Sequence, residues 1–366
     1  MRVVLAGGGT GGHVTPALAV AEGLRTRLGD AVQVDYVGTA HGIEHDLVPR
    51  AGIPFHMVHA RGLLKRRWSD RIAGVAATAR GVAESWRLLG RLRPDVVLGT
   101  GGYVTGPVGL AAVWRRVPLV LQEQNLWPGL TNRMLARRAR VVLVAFAETA
   151  RHLPSGCRVR VSGNPVRPAL LALDRTAARA RFELDDAAVM LVVTGGSQGA
   201  PAINRLMTRV WAEVASRPEV HCRWATGPQH YAAVREALAP APDGRRLVVE
   251  PYLYDMDWSL AAADVAVGRA GAMTCTESLA RGVPALLVPS PFVPEHTQER
   301  NAAHLAEAGA ALSVTEDRLE AEGPKALLGL VDDPGRRAAM RAAGRALYRP
   351  DALERIVDAV MEAGGG

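Results

Sequence analysis

The chain has 366 residues, of which 48% are apolar and 22% are charged, a composition typical of folded globular proteins. This length is too great for one ordinary core and predicts two domains of about 150 to 200 residues each. No apolar run approaches the roughly 20 residues of a transmembrane helix, and the N-terminus lacks the segments of a secretion signal, so we expect a cytoplasmic protein.

The net charge of +8 at pH 7 is typical of a protein whose partner carries phosphates, such as a nucleic acid, an anionic lipid or a nucleotide. The excess is almost wholly arginine, since Lys65 and Lys325 are the only lysines. The positions of the arginines along the chain are therefore better evidence for a phosphate-binding surface than the total charge is.

Three widely spaced cysteines, Cys157, Cys222 and Cys275, are an odd number. This pattern favours reduced thiols in a reducing compartment over a disulfide framework or a zinc site.

Two parts of the chain repeat the same order of elements. The apolar run Val3 to Ala6 leads into GGGTGGH, and helical spacing follows from Pro16 to Leu24; VMLVVTGGSQGAPAINRLM, beginning at Val189, has the same order. A second pair also matches, because DVVLGTGGYVTGP precedes VPLVLQEQN and DVAVGRAGAMTCTE precedes VPALLVPSP. The pairs predict two similar α/β units, each a doubly wound parallel sheet.

The segment SGNPVRP, from Ser162 to Pro168, contains two prolines and a glycine and is the predicted joint. We therefore predict an N-terminal domain over 1–162 and a C-terminal domain over 163–349. Beyond Pro350, DALERIVDAVMEA predicts an amphipathic helix within 350–363, which we expect to pack back on the first domain.

Glycine loops between a strand and a helix allow a ligand to approach the backbone, and the helix start offers unpaired N–H groups. Both loops therefore predict a phosphate or a sugar next to phosphate. GGGTGGH lacks the Lys-Ser/Thr of a P-loop. A dinucleotide site requires an acidic residue at the end of the second strand, whereas the acid of VQVDYVG, Asp35, lies inside the strand. The predicted ligand is thus not a dinucleotide.

The segment YDMDW contains Asp255 and Asp257, which resemble the Asp-x-Asp metal site found in one class of glycosyltransferases. Because WSLAAADVAV follows at once, we interpret these residues as the start of a helix. No metal site is predicted.

The segment RGLLKRRWSDRIAG, from Arg61 to Gly74, mixes basic and apolar residues in a way that suits an anionic membrane surface. Leu63, Leu64 and Trp68 are the predicted membrane-facing residues. The alternative is an ordinary solvated helix with a stripe of core residues.

Six motifs, in order and over nearly the whole chain, resemble those of the MurG family of peptidoglycan N-acetylglucosaminyltransferases: GGTGGHVTPALA, GGYVTGP, EQN, GNPVR, GGSQGA and RAGAMTCTE. The resemblance implies a GT-B fold, with two Rossmann-like domains facing across a cleft. It also implies inverting transfer of N-acetylglucosamine from UDP to the C4 hydroxyl of undecaprenyl-pyrophosphoryl-N-acetylmuramyl-pentapeptide. A peripheral protein at the cytoplasmic face of the cell membrane, without a catalytic metal and without nucleic acid as partner, is expected.

His13 is the catalytic residue that the resemblance implies, as a general base or as the group that orients the acceptor. Its place at a helix start independently favours a neutral imidazole, because the positive end of the helix dipole disfavours a cation. One position departs from the family: many relatives have histidine where this chain has Gln122.

Glu277 could accept hydrogen bonds from both ribose hydroxyls of the donor, whereas Thr274 and Glu277 could equally form a capping box that only stabilises a helix. The resemblance favours ribose binding. Tyr103 is expected on the acceptor or membrane-facing side. The full set of implied donor-binding residues is Thr10, Gly11, Gly12, Asn125, Arg167, Ser197, Leu253, Ala272, Met273, Thr274, Glu277 and Gln298.

Two further function classes stay open from the residues alone. One is another GT-B enzyme, with a different acceptor or with epimerase activity. The other is a non-catalytic regulator that binds a nucleotide sugar, which would keep Glu277 and the loops but would not need His13.

Overall fold

The protein is described by a computed structural model that covers residues 1–61, 68–238 and 246–365, with side chains for all of these except 68–76. The chain divides into two compact units, Met1–Pro168 with Arg349–Gly366, and Ala169–Tyr348. The predicted boundary at 162 and 163 lies a few residues before the observed division, so GNPVR belongs to the first unit.

The strands come almost entirely from the apolar runs of the sequence, because a strand of a parallel sheet is buried on both faces. Their bounds are β1 (Arg2–Gly7), β2 (Gln33–Gly38), β3 (Phe55–Met57), β4 (Val96–Gly101), β5 (Leu119–Glu123), β6 (Val141–Val144), β7 (Val159–Val161), β8 (Val189–Thr194), β9 (Val220–Ala225), β10 (Leu247–Glu250), β11 (Val265–Gly268), β12 (Ala285–Leu287) and β13 (Ala311–Ser313).

Helices connect the strands and cover both faces of each sheet. Their bounds are α1 (Gly11–Leu28), α2 (Glu44–Arg50), α3 (Trp68–Leu92), α4 (Gly102–Trp114), α5 (Leu130–Leu135), α6 (Pro168–Ala172), α7 (Arg175–Arg181), α8 (Pro201–Ala215), α9 (Tyr231–Ala237), α10 (Met256–Ala262), α11 (Ala272–Arg281), α12 (Thr297–Glu307), α13 (Leu319–Asp332), α14 (Pro334–Leu347) and α15 (Ala352–Gly364). Short 3₁₀ turns lie at Gly29–Ala31, Ala136–Arg138, Ala147–His152 and Pro294–His296.

The two sheets have the same topology around their centres. The first is seven-stranded with the order β3-β2-β1-β4-β5-β6-β7, and the second is six-stranded with the order β10-β9-β8-β11-β12-β13. All strand pairs formed by the described residues are parallel. The strand order reverses between β1 and β4 and between β8 and β11. In such sheets ligands bind at the carboxyl ends of the strands beside this switch point.

Among the described residues of the first unit, a hydrophobic cluster lies on each face of the sheet. The cluster between β1, β4 and α1 also includes Ile356, Val357 and Val360 of α15, all buried. The C-terminal helix therefore completes the core of the unit that contains the N-terminus. In the second unit, α8 buries Ile203, Leu206 and Met207 against β8 and β9.

None of the helices within the described ranges is long and apolar enough to cross a membrane.

Candidate active site

The first glycine loop, between β1 and α1, is held by side chains of the next strand and helix. Tyr36 donates a hydrogen bond to the Gly7 carbonyl (3.0 Å), and Glu44 accepts one from the Gly9 amide (3.0 Å). Burial, with a contribution from Glu44, raises the pKa of Tyr36 well above its usual value, so the phenol stays a donor. A Cβ added at Gly8 would lie 2.5 Å from a Glu44 oxygen, so this loop needs glycine there.

Glu44 is fully buried and serves three donors with its two oxygens. Oε1 accepts from the amide and the hydroxyl of Thr39 at 3.1 and 2.9 Å, and Oε2 accepts from Gly9. A carboxylate suits this position because it accepts on both oxygens. Glu44 thus links the end of β2 to the glycine loop. No sequence motif marks Glu44 as a residue of the site.

Thr10, Gly11 and Gly12 form the start of α1. Thr10 is the exposed N-cap residue, and its side chain makes no capping hydrogen bond. A Cβ at Gly11 would meet nothing within 4 Å, so Gly11 faces open space and not packed protein. The first helical N–H groups have no acceptor inside the helix and are available to an anion.

His13 is the third residue of α1 and is half-buried. Its Nδ1 lies 3.1 Å from the Thr100 carbonyl oxygen and 3.1 Å from Gln124 Oε1. The Thr100 hydroxyl in turn donates to the His13 backbone carbonyl (2.7 Å). Because Thr100 lies in β4 and Gln124 follows β5, the imidazole sits at the carboxyl ends of two strands, beside the switch point.

The turn after β4 leaves room for this imidazole. Gly101 and Gly102 have φ angles of 101° and 75°, in the left-handed region that favours glycine. A Cβ at Gly101 would lie 2.9 Å from His13 Nδ1, and one at Gly102 would lie 2.3 Å from the Gly8 carbonyl oxygen. Larger residues at either position would displace the histidine or the first loop.

Tyr103 lies against the first glycine loop. Its ring covers Gly9, where a Cβ would lie 2.7 Å from Cε1, and its hydroxyl lies 3.5 Å from Thr39 Oγ1. The structure therefore brings Tyr103, His13 and the loop together in the first unit.

Asn125 follows β5 and is held by the buried carboxylate of Glu123. Glu123 Oε1 accepts from the amide and the side chain of Asn125 at 3.0 and 3.2 Å. Its Oε2 accepts from the Gly129 amide (2.9 Å) and from Asn132 Nδ2 (2.8 Å). Glu123 thus fixes the turn that presents Asn125, two residues after the strand.

Arg167 follows β7 and is half-buried in the first unit, whereas the sequence assigned it to the second domain. The remaining expected donor residues lie in the second unit: Ser197, Leu253, Gln298 and the α11 residues.

Ser197 is exposed in the loop between β8 and α8, the equivalent of the first glycine loop. This loop is tight, since a Cβ at Gly199 would lie 2.0 Å from the Thr226 carbonyl oxygen.

Helix α11 begins at Ala272, with Gly271 as its N-cap residue. Ala272, Met273 and Thr274 are therefore the first three helical residues, whose N–H groups have no acceptor within a helix. The capping-box alternative is wrong, because Thr274 is inside the helix and not at its N-cap. Glu277 lies one turn into α11 and is half-buried.

The turn before α11 is anchored to neighbouring elements. Arg269 donates to the Val288 carbonyl (3.2 Å), and the buried Asn301 donates to the Ala270 carbonyl (3.2 Å). Gln298, near the start of α12, accepts a hydrogen bond from the Ser290 amide (2.8 Å) through Oε1. Its amide nitrogen is therefore oriented away from that contact.

Leu253 is buried, so its backbone is the part suited to contact a ligand.

Asp255 is the N-cap residue of α10, as the sequence predicts, but its side chain pairs with Arg223 (2.6 Å) and does not cap the helix. Among the described residues no group of three or more His, Cys, Asp and Glu side chains could hold a metal ion.

All three cysteines are free thiols. Burial raises the pKa of Cys275 to about 12 and that of Cys222 further still. These two side chains are therefore neutral packing groups near pH 7.

Leu63 and Leu64 lie outside the described residues, and the side chain of Trp68, the first residue of α3, does as well. Their expected membrane role stays a prediction.

The comparisons match both units separately. The model of the glycosyltransferase family 28 N-terminal domain matches residues 3–144, and that of the C-terminal domain matches residues 190–356. The chain belongs to glycosyltransferase family 28. The parallel α/β fold predicted from the repeated segments is confirmed, and so is the resemblance to the family that the six motifs indicated.

Two relatives within family 28 carry the name UDP-N-acetylglucosamine–N-acetylmuramyl-(pentapeptide) pyrophosphoryl-undecaprenol N-acetylglucosamine transferase. The protein of Moorella thermoacetica is 42% identical over 99% of both chains. That of Desulforudis audaxviator is 43% identical over 100% of this chain and 99% of its own.

Among solved structures, MurG of Acinetobacter baumannii matches with a TM-score of 0.77 and 30% identity over 99% of both chains. A UDP-GlcNAc 2-epimerase from Neisseria meningitidis bound to UDP-GlcNAc has a TM-score of 0.68 over 99% of this chain and 100% of its own. At 16% identity, the second likeness shows the fold alone.

We predict that Glu44→Gln lowers the free energy of unfolding by about 1–3 kcal/mol, because an NH₂ group would face one of three buried donors. Glu22→Gln, an exposed change on α1, is the matched control and should stay within about 0.5 kcal/mol of the parent. Denaturant unfolding of both variants measures the difference. Equal changes in the free energy of unfolding in the two variants would mean that the hydrogen bonds of Glu44 do not stabilise the loop.

Proposed function

We propose that this chain is an inverting N-acetylglucosaminyltransferase. It would move N-acetylglucosamine from UDP-N-acetylglucosamine to the C4 hydroxyl of undecaprenyl-linked N-acetylmuramyl-pentapeptide, the step from lipid I to lipid II in peptidoglycan synthesis. The observation that carries the proposal is identity of 42 and 43% over essentially the full chain to transferases named for this sugar and this acceptor.

In the proposed reaction His13 is the general base. The acceptor oxygen forms a bond to the anomeric carbon while the bond from that carbon to the β-phosphate oxygen breaks. The electron pair leaves with UDP, and the hydroxyl proton passes to the imidazole. Attack opposite to the leaving group gives the β-1,4 linkage. The position of His13 beside the switch point, with Nδ1 in contact with Thr100 and Gln124, supports this role.

The donor is proposed to bind at the switch point of the second sheet. The N-terminal amides of α11 suit its diphosphate, and Glu277 suits the ribose hydroxyls. Ser197 would add a contact to phosphate, Gln298 to the sugar, and the backbone of Leu253 to uracil. We expect the dipole of α11 to stabilise the leaving group without a divalent metal. For Arg167 and Asn125, in the first unit, the donor-binding role that the resemblance implies stays a prediction.

The acceptor chain is anchored in a bilayer, so the enzyme must bind the membrane surface to reach it. Trp86 and Trp114 of the first unit are 46% and 65% exposed, and the Arg115 guanidinium lies 4.3 Å from the Trp86 ring centroid. Exposed aromatic and cationic groups together suit the headgroup region of an anionic membrane.

A second feature of this unit supports the same assignment. A cavity of about 490 Å³ lies beside the amino ends of β5, β6 and β7, whereas His13 lies at the carboxyl ends of the strands. Its lining includes Arg116, Arg137, Arg138, Arg140 and Arg158. We propose that the first unit associates peripherally with the cytoplasmic face of the cell membrane.

We predict that His13→Ala lowers kcat by about two orders of magnitude or more, the usual scale for a lost general base, and changes UDP-sugar affinity only a few-fold. Transfer of labelled N-acetylglucosamine to a lipid-linked acceptor is the assay. His45→Ala, an exposed change, is the control. A parent enzyme that leaves the donor unreacted or changes its configuration would contradict the proposed function.

We predict that Glu277→Ala weakens UDP binding by about 1–3 kcal/mol, because the ribose hydroxyls lose a charged acceptor. Isothermal titration with UDP measures the change. Glu307→Ala, an exposed change at the end of α12, should leave the affinity unaltered. Unaltered affinity in the Glu277 variant would remove that residue from the donor site.

We predict that Trp86→Ser combined with Trp114→Ser reduces co-sedimentation with vesicles containing anionic lipid, chiefly the part that survives high salt, since burial of apolar groups is insensitive to salt. Transfer to a long-chain acceptor should slow, whereas transfer to a short soluble analogue should not. Phe292→Ser, which removes an 86% exposed aromatic ring from the second unit, is the control. Equal losses in both variants would place the membrane contact elsewhere.

A further inference from the structure

The hydrogen bonds at His13 determine which ring nitrogen carries its proton. Nδ1 lies 3.1 Å from the Thr100 carbonyl oxygen, and a carbonyl oxygen only accepts. In a neutral imidazole one nitrogen donates and the other accepts. The proton is therefore on Nδ1, and Nε2 has the lone pair.

The orientation of Gln124 leads to the same tautomer by an independent argument. Its Nε2 lies 2.7 Å from the Thr100 carbonyl oxygen and 3.1 Å from that of Gln122, and both of these oxygens only accept. A flipped amide would place its oxygen against both carbonyl oxygens. Gln124 Oε1 therefore faces His13 Nδ1 at 3.1 Å, which again requires a proton on Nδ1.

Two more side chains hold Gln124 in this orientation. Gln122 Oε1 accepts from Gln124 Nε2, and Gln122 Nε2 donates to Asn164 Oδ1 (2.9 Å). Asn164 Nδ2 donates to the Gln124 backbone carbonyl (3.0 Å). All three amides are buried, so no member can turn without leaving a polar atom unsatisfied. We call Asn164, Gln122 and Gln124 the amide relay.

We propose that Gln124 is a positioning residue for His13: through the amide relay it fixes the imidazole as the Nδ1–H tautomer, with Nε2 as the atom that receives the acceptor proton. This inference rests on the proposed function for the identity of that proton. The assignment of the tautomer itself does not depend on any activity.

The first measurement uses the unaltered protein. Histidine-selective ¹⁵N labelling and long-range ¹H–¹⁵N spectra, assigned by comparison with His13→Ala, should show the neutral His13 ring protonated at Nδ1. A ring protonated at Nε2 would overturn the proposal whatever the activity. Absence of transfer by a protein with the expected tautomer would instead count against the proposed function.

The second measurement uses Gln124→Leu, which removes the amide while nearly keeping the shape. We expect kcat to fall about 10–100-fold, the scale known for loss of the partner that orients a metal-bound histidine, with KM for UDP-N-acetylglucosamine within about twofold. Because the Thr100 carbonyl still faces Nδ1 in this variant, the spectrum should show the Nδ1–H form together with a share of an Nε2–H form that is missing from the parent. Gln122→Leu, one step back in the relay, should have a smaller effect of the same kind.

Gln33→Leu, at the exposed start of β2, is the matched amide-to-leucine control and should match the parent in kcat and in its His13 spectrum. A Gln124→Leu protein with parental kcat would overturn the proposal. So would a loss that appears in KM and not in kcat, because that pattern indicates weaker binding and not a misplaced base.

Discussion

The site of the first unit depends on how closely two backbone turns approach each other at the centre of the sheet. Gly102 lies so near the Gly8 carbonyl that a Cβ would be 2.3 Å from its oxygen, and only glycine permits this contact. The contact forms because β1 and β4 are neighbours at the point where the strand order reverses. His13, Thr100 and Gln124 meet there as a consequence, since each lies in or directly after one of the central elements.

The sequence predicted the parts of the site that are local. An apolar run that ends in clustered glycines marks both the strand and the loop, and the recurrence of that pattern predicted the second sheet. Glu44 and Gln124 were missed because their partners are distant along the chain: Glu44 is 35 residues from Gly9, and Gln124 is 111 residues from His13. A glutamate at a helix start resembles an exposed residue in sequence, and only the folded chain shows it buried.

The start of α11 illustrates the same limit. Thr274 and Glu277 have the spacing of a capping box, so local propensity allows the helix to begin at either place. In the folded unit Asn301 holds the carbonyl of Ala270, and the helix begins two residues later with Gly271 as its N-cap residue. This contact between distant parts of the chain therefore decides where the helix begins. The start of the helix in turn decides where its free amides can bind an anion.

The departure at position 122 becomes intelligible once the amide relay is known. A buried side chain there must accept from Gln124 and donate to Asn164, and a glutamine amide does both. A neutral histidine, the residue that the family resemblance implies at this position, also offers one donor and one acceptor, but it can take up a second proton and then offers two donors. Glutamine has no such second state. With Gln122 in place, none of the three amides of the relay can exchange a proton near neutral pH, so the relay keeps its direction while the imidazole of His13 gains and loses one.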